Sequence, residues 1–163
     1  MKKLFAIAVL GSVMLVSCKK SSSGGGLGEG NVQATINDTT TTFNIAGGTS
    51  TNGGKEIDIT SANGTGSTAT QFEIDIQDTS AAITTGTYHD KSLNNTGFFL
   101  TLPSGDYYDN AELVTNPITI TVTSISSTQI QGTFQGDIYL NEDSASTKKI
   151  ITNGKFNVKL TSL

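Results

Sequence analysis

Alternation between apolar and polar residues, with a period of two, runs through most of this chain. Val32, Ala34 and Ile36 alternate with polar neighbours. Phe72, Ile74 and Ile76 do so again further along. Successive side chains of a β-strand point to opposite faces of a sheet, so this period is typical of strands that bury one face. No window shows a sustained period of about 3.6 residues, and frequent threonine and glycine also disfavour helix. The pattern therefore predicts an all-β protein.

Turn signals separate the alternating segments. Asn37-Asp38 and the run Asn63-Gly64-Thr65-Gly66 predict turns, and the glycines between Gly47 and Gly54 predict a loop. The stretch 104–116 is predicted to be a long loop. Turns at this spacing are typical of sandwiches and barrels. We expect a mostly antiparallel β-sandwich or small barrel of about 8–10 strands.

The first eighteen residues have the order of an export signal. Lys2 and Lys3 precede an apolar run from Leu4 to Val16, and Cys18, the only cysteine, follows. An ordinary secretory signal and a transmembrane helix are the alternatives. The run holds about 13 residues, whereas a helix needs roughly 20 to span a bilayer.

The segment Leu15-Val16-Ser17-Cys18 resembles the lipobox of bacterial lipoproteins. The resemblance implies that residues 1–17 are removed as a lipoprotein signal peptide. It also implies that Cys18 carries a diacylglycerol on its sulfur and an acylated amino group. Two or three acyl chains anchor a protein stably, whereas one chain binds a membrane only marginally. We therefore expect a membrane partner through lipid and a bacterial outer-membrane location.

Composition divides the remaining chain into two parts. Residues 18–30 hold the lipidated cysteine and the sequence KKSSSGGGLGEG, which is typical of a flexible tether. Residues 31–163 have the length and apolar content of a single β-domain with one core.

Charge and motif content exclude several functions. The chain has fourteen Asp and Glu against ten Lys, no Arg, and a net charge of −4. Such a domain lacks the basic footprint of a nucleic-acid partner. His89 is the only histidine, and we find no Gly-x-Ser-x-Gly elbow and no glycine-rich phosphate loop. We therefore expect no cofactor and no enzymatic activity.

Short segments along the chain also match a family. The matching segments are Ala34-Thr35-Ile36-Asn37 with Phe43, Gly86-Thr87-Tyr88, Ile118-Thr119-Ile120-Thr121, Ile130-Gln131-Gly132-Thr133-Phe134 and Ile151-Thr152-Asn153-Gly154-Lys155-Phe156. In these pieces the chain resembles small lipoproteins of Bacteroidetes-type bacteria. The resemblance implies a β-sandwich-like domain of unknown function. Lys19 and Lys20 follow Cys18 where surface-displayed members often carry acids, so orientation towards the periplasm or the cell surface stays open.

Four carboxylates form the first candidate site. Glu56 and Asp58 share one face of a strand, and Glu73 and Asp75 share the polar face of the next strong strand. If these strands pair, the four groups crowd one surface. Such a cluster could bind Ca²⁺, which prefers oxygen ligands, or supply an acid with a raised pKa for glycoside chemistry. The simpler alternative is a solvated sheet face whose charge opposes aggregation.

Two adjacent tyrosines form the second candidate site. Tyr107 and Tyr108 lie in the expected loop, where diverging rings would leave at least one exposed. An exposed tyrosine offers a flat amphipathic surface for a glycan or an envelope protein. The alternative is that a tyrosine closes the core while the neighbouring acids solvate the loop.

These features together favour a lipid-anchored binding or structural module of the cell envelope. Two other functions remain as alternatives: an enzyme that acts on glycans through Asp and Glu, and a Ca²⁺-stabilised, adhesin-like domain. An enzyme requires two carboxylates roughly 5–9.5 Å apart in a cleft, whereas an adhesin gathers its ligands in one loop.

Overall fold

The computed structural model describes residues 27–89, 96–110 and 116–162. Eleven strands account for nearly all of its regular structure. They are β1 (Asn31–Ile36), β2 (Thr39–Phe43), β3 (Ile45–Thr51), β4 (Glu56–Asn63), β5 (Thr70–Gln77), β6 (Gly86–His89), β7 (Gly97–Thr101), β8 (Tyr107–Asp109), β9 (Thr119–Ile125), β10 (Gln129–Leu140) and β11 (Lys148–Ser162). Two short 3₁₀ turns lie at Asn52–Gly54 and Gly66–Thr68. The predicted all-β class is confirmed.

Strand pairing joins the eleven strands into one mixed sheet, which we describe as two parts and call the first and the second sheet. The first sheet has the order β2-β1-β11-β10-β9-β6, and the second has the order β3-β4-β5-β7-β8. The C-terminal residues of β11 pair with β3, and the C-terminal residues of β10 pair with β8. These two junctions close a ring of strands around the core. The β11–β3 pair is parallel, and every other pair is antiparallel, as the sequence predicts.

Phenylalanines from both sheets fill the space between them. Phe134 of β10 is buried, with its ring centroid 5.2 Å from that of Phe72 and 5.5 Å from that of Phe98. Phe43 and Phe156 extend this cluster on either side. The sequence-based expectation that Phe134 points inward against Phe72 or Phe156 is therefore confirmed.

Glycines opposite phenylalanines make room for these rings. Gly132 lies across from Phe156, and Gly154 lies across from Phe134, in the β10–β11 pair. A Cβ at Gly132 would collide with the Phe156 ring, and one at Gly154 would collide with Phe134. Each ring thus covers the bare backbone of the neighbouring strand, which brings the aromatic cluster close to the sheet.

Two predicted loops contain strands. Gly47 and Gly48, two of the glycines that predict a loop, lie inside β3, where a Cβ at Gly48 would stand 2.8 Å from the Leu160 side chain. Gly53 and Gly54 lie outside the strand, in the 3₁₀ turn Asn52–Gly54. The predicted long loop 104–116 contains β8, which is held between β7 and β10. The loop predictions were wrong at Gly47, at Gly48 and across β8, because contacts with distant strands, rather than local composition, determine these segments.

Candidate functional site

The predicted acidic strands are neighbours, with their carboxylates on the outer surface. β4 pairs with β5 in a register that places Asp58 directly opposite Asp75 and Thr60 opposite Glu73. The intervening isoleucines, Ile57 and Ile74 among them, point into the core. Side chains directly opposite each other have Cβ atoms about 4.5–5.5 Å apart, so like charges there repel.

Burial and repulsion together change the acidity of this pair. Loss of solvent, together with the charges of Glu73 and Asp58, raises the pKa of Asp75 to about 7. Burial, with the charge of Glu56, also raises the pKa of Asp58, whereas its hydrogen bond with Asp75 has the opposite effect. The Asp75 carboxyl therefore holds a proton below about pH 7 and donates it to Asp58. The other Asp75 oxygen, Oδ1, is buried without a hydrogen-bond partner.

An aromatic stack continues the same surface on the next two strands. Phe99 of β7 lies opposite Glu73, and Tyr107 of β8 lies opposite Thr101. The rings of Phe99 and Tyr107 stack with centroids 6.0 Å apart and an interplanar angle of 20°. Alternation along β7 and β8 places both rings outside the core, and each is half-buried. The expectation of an exposed tyrosine is therefore wrong, because Tyr107 packs on Phe99.

Tyr108 has a different environment from its neighbour. Its side chain is buried in the core, and it pairs with Leu100 and Leu140 across β7 and β10. The Lys149 ammonium lies 5.1 Å from the centre of its ring. Tyr108 is therefore part of the core, and the prediction that it contributes to a ligand-binding loop is not supported by its position.

A second pair of carboxyls lies beyond the aromatic stack. Asp109 is buried, accepts a hydrogen bond from the Asn110 amide at 2.6 Å, and lies 3.3 Å from the Tyr107 hydroxyl. Burial, together with the charge of Glu142 in the β10–β11 connection, raises the pKa of Asp109 to about 7. Burial is the largest cause of a raised pKa for Tyr107, and the charges of Asp109, Glu142 and Glu73 raise this pKa as well.

These groups form one surface, which we call the acidic face. It is the outer surface of β4, β5, β7 and β8, and it comprises Asp58, Glu73, Asp75, Phe99, Tyr107 and Asp109. The sequence indicates the carboxylates and the tyrosines as separate candidates, and the structure brings Tyr107 together with the carboxylates. Phe99 was not predicted as a site residue. Phe98, Phe99 and Leu100 are all apolar, so no alternation in the sequence marks Phe99 as an outer residue.

Glu56 differs from the other predicted carboxylates. It accepts hydrogen bonds from Thr51 at 3.1 Å and from Asn52 at 2.7 Å, at the end of β4. In the described part of the chain, no three His, Cys, Asp or Glu side chains form a group that could hold a metal ion. The Ca²⁺ hypothesis for Glu56, Asp58, Glu73 and Asp75 gains no support from this arrangement.

The arrangement of the carboxyls on the acidic face is informative about whether the face could cleave a glycoside or bind a cation. Glycosidases place two carboxyls on either side of the bond that they cleave, within a cleft. Asp58 and Asp75 instead lie side by side on neighbouring strands. An aromatic stack next to carboxylates can contact a cation through both charge and ring. The face is therefore suited to binding.

No family model, curated protein or solved structure matches this chain. Cys18 lies outside the described residues. Within the described ranges, no helix has the length and hydropathy needed to cross a membrane.

Proposed function

We propose that this protein is a lipid-anchored, non-enzymatic binding module of the bacterial outer membrane. The anchor is supported by the order Lys2-Lys3, the apolar run to Val16 and the terminal Cys18. The ligand-binding surface is the acidic face, and the partner is a positively charged segment of an envelope protein.

One observation carries the choice of surface. The register of β4, β5, β7 and β8 surrounds the Phe99–Tyr107 stack with carboxyl groups. The strands of the second sheet carry no lysine, whereas every lysine found within a described strand lies on β11. An Arg or Lys side chain over an aromatic ring contributes roughly 0.5–2 kcal/mol, and nearby carboxylates add charge attraction.

The carboxyls of the acidic face favour a cationic ligand on electrostatic grounds. Burial and the charges of neighbouring carboxyls raise the pKa of Asp75 and of Asp109 to about 7, so both groups hold a proton below that pH. A bound cation would favour the ionised forms and relieve the repulsion between them. Binding should therefore release protons and should tighten as the pH rises through about 7.

Fluorescence anisotropy with a labelled oligo-arginine peptide tests this function. We expect Tyr107→Ala to weaken binding about tenfold, which corresponds to about 1.4 kcal/mol. The matched control is Thr121→Ala, which removes a side chain of similar exposure from the first sheet and should leave binding unchanged. Glu73→Gln should weaken binding and reduce its dependence on salt.

Two results would contradict the proposal. Equal peptide affinity in the parent, Tyr107→Ala and Thr121→Ala proteins would show that only net charge attracts the peptide. No measurable binding at low salt and pH 8 would exclude a cationic partner for this face.

A further inference from the structure

The segment Leu27–Gly30, directly before β1, lies against the first sheet. The Asn157 side chain donates a hydrogen bond from Nδ2 to the Leu27 carbonyl at 2.7 Å. The Gly30 amide donates to the Asn157 carbonyl at 2.8 Å. Composition places this segment in the tether, but these contacts make it part of the folded domain.

A second set of contacts holds Glu29. The Lys159 ammonium lies 3.4 Å from Glu29 Oε1, and Gln129 Nε2 donates to Glu29 Oε2 at 3.3 Å. Gln129 also donates to Asn157 Oδ1 at 2.9 Å, so the three side chains support one another. The beginning of the domain is thus tied to the first residue of β10 and to the C-terminal part of β11.

The length of chain before Leu27 limits how far this end can move from the anchor. Nine links separate Cys18 from Leu27, and they span at most about 31 Å in any conformation. If the chain were free up to Asn31, thirteen links would reach about 45 Å. The contacts of Glu29 and Asn157 therefore shorten the reach of the domain by about 14 Å.

The Tyr107–Asp109 end of the acidic face lies at the opposite end of β10. Tyr139, near the end of this strand, pairs with Asp109 of the acidic face. Ten residues separate Gln129 from Tyr139, which corresponds to about 33 Å along a strand. The distance from the docked segment to Asp109 is thus comparable with the full reach of the chain before Leu27.

We propose that the end of the domain formed by Glu29, the turn Ser126–Thr128 and Lys159 is the surface that lies next to the lipid bilayer. The Tyr107–Asp109 end of the acidic face then points away from the membrane, where a partner can reach it. This orientation rests on the lipid anchor at Cys18 that the proposed function includes.

Energy transfer from a labelled side chain to an acceptor on lipid headgroups tests the orientation. Cys18 is the only cysteine, and acylation would occupy its sulfur, so an introduced cysteine is a unique site for labelling. Ser127→Cys reports on the proposed membrane side, and Ser144→Cys, in the β10–β11 connection, reports on the opposite end. Both positions are exposed. In lipidated protein on phosphatidylcholine vesicles, we expect transfer from position 127 to exceed that from position 144 at least about twofold, given about 30 Å between them.

A variant that releases the docked segment provides the control. Glu29→Ala combined with Asn157→Ala removes the side-chain contacts that join Leu27–Gly30 to β10 and β11, and it should reduce the excess transfer from position 127. Equal transfer from the two positions, or a ratio unchanged by the double variant, would overturn the orientation. Failure of the protein to float with the vesicles would instead contradict the anchor itself, so the two outcomes are distinguishable.

Discussion

The two outer surfaces of this protein are built from similar strands but differ in how their polar groups are satisfied. On the first sheet, a row of uncharged side chains and one lysine crosses all six strands: Thr87, Thr121, Thr133, Lys155, Gln33 and Thr42. We call this surface the hydroxyl-amide face. Thr87 and Thr121 share a hydrogen bond of 3.2 Å, and Gln33 donates to Thr42 at 3.1 Å.

The acidic face places like charges opposite one another. The carboxyls of Asp58 and Asp75, which lie opposite each other, can form a hydrogen bond only while one of them retains a proton. The Oδ1 atom of Asp75 has no hydrogen-bond partner. Cross-strand hydroxyl pairs stabilise a sheet, whereas directly opposed carboxylates destabilise it. Perturbed carboxyl groups concentrated on one surface are frequent at functional sites, and this difference is why the acidic face is the surface that we propose for binding.

The largest expected effect tests whether the two faces belong to one cooperative unit. Phe134 lies beneath the hydroxyl-amide face, and its ring packs on Phe72 and Phe98 beneath the acidic face. Phe134→Ala should lower the free energy of unfolding by about 3–5 kcal/mol, because it leaves a cavity between the sheets. Chemical denaturation measures the loss. Amide exchange should then accelerate in both sheets, and protection that survives in one sheet would show that the faces are independent.

The next effect concerns the acidic face alone. The pKa of Asp75 is raised from 3.8 to about 7, so the folded state binds a proton that the unfolded state releases at lower pH. Stability from this proton is complete below about pH 4 and is lost as the pH rises through 7. Since Asp75 is only partly buried, we expect about 1–3 kcal/mol after screening by solvent.

Asp75→Asn should remove this pH dependence, because an amide donates to Asp58 without a titrating proton. The thermal midpoint at pH 8 should rise by several degrees, with little change at pH 4. Gln135→Glu is the matched control, since it places a lone carboxylate on the hydroxyl-amide face and should add no such dependence. Asp109, whose pKa is also about 7, should leave a residual slope in the Asp75→Asn protein. An unchanged pH profile in Asp75→Asn would mean that Asp75 is ionised throughout.

A smaller effect separates the two adjacent tyrosines. Tyr107→Ala removes an outer stack with Phe99 and should cost about 0.5–1.5 kcal/mol. Tyr108→Ala truncates a buried side chain and should cost about 3–5 kcal/mol, the range for large aromatic residues in a core. Urea midpoints of the two variants give the comparison. Equal losses would show that Tyr107 is also a core residue and would weaken its use as a binding variant.

The sequence predicts features that depend on neighbours along the chain and misses those that depend on distant strands. The alternation in β5 and β10 was sufficient to predict the inward direction of Phe72 and Phe134. Gly48 looked like a loop residue, because its close approach to Leu160 involves a strand more than a hundred residues away. The short strand β8 was missed for the same reason.

Prediction of the candidate site from the sequence is limited in the same way. Alternation identified Glu73 and Asp75 as outer residues, and the Tyr107-Tyr108 pair was visible in the sequence. Their shared surface depends on the order β5-β7-β8, which local patterns do not encode. The aromatic partner Phe99 lies in a nearly continuous apolar run, where composition obscures which side chain points outward.

The smallest expected effect is the response to calcium, and it distinguishes a proton-sharing face from a metal site. Ca²⁺ takes about six to eight oxygen ligands. On the acidic face, however, Asp58 and Asp75 share a proton, and Glu56 accepts hydrogen bonds from Thr51 and Asn52. We therefore expect the thermal midpoint at pH 8 to be unchanged in millimolar Ca²⁺ relative to an equal ionic strength of NaCl. A site half-saturated at micromolar Ca²⁺ would add about 4 kcal/mol at a thousandfold excess, or about 8 °C or more. Such a rise, if lost in Asp75→Asn but retained in Thr121→Ala, would show that the carboxylates of the acidic face exchange their protons for a metal ion. The attraction of Asp58 and Asp75 for that ion would then offset the repulsion between the two carboxylates.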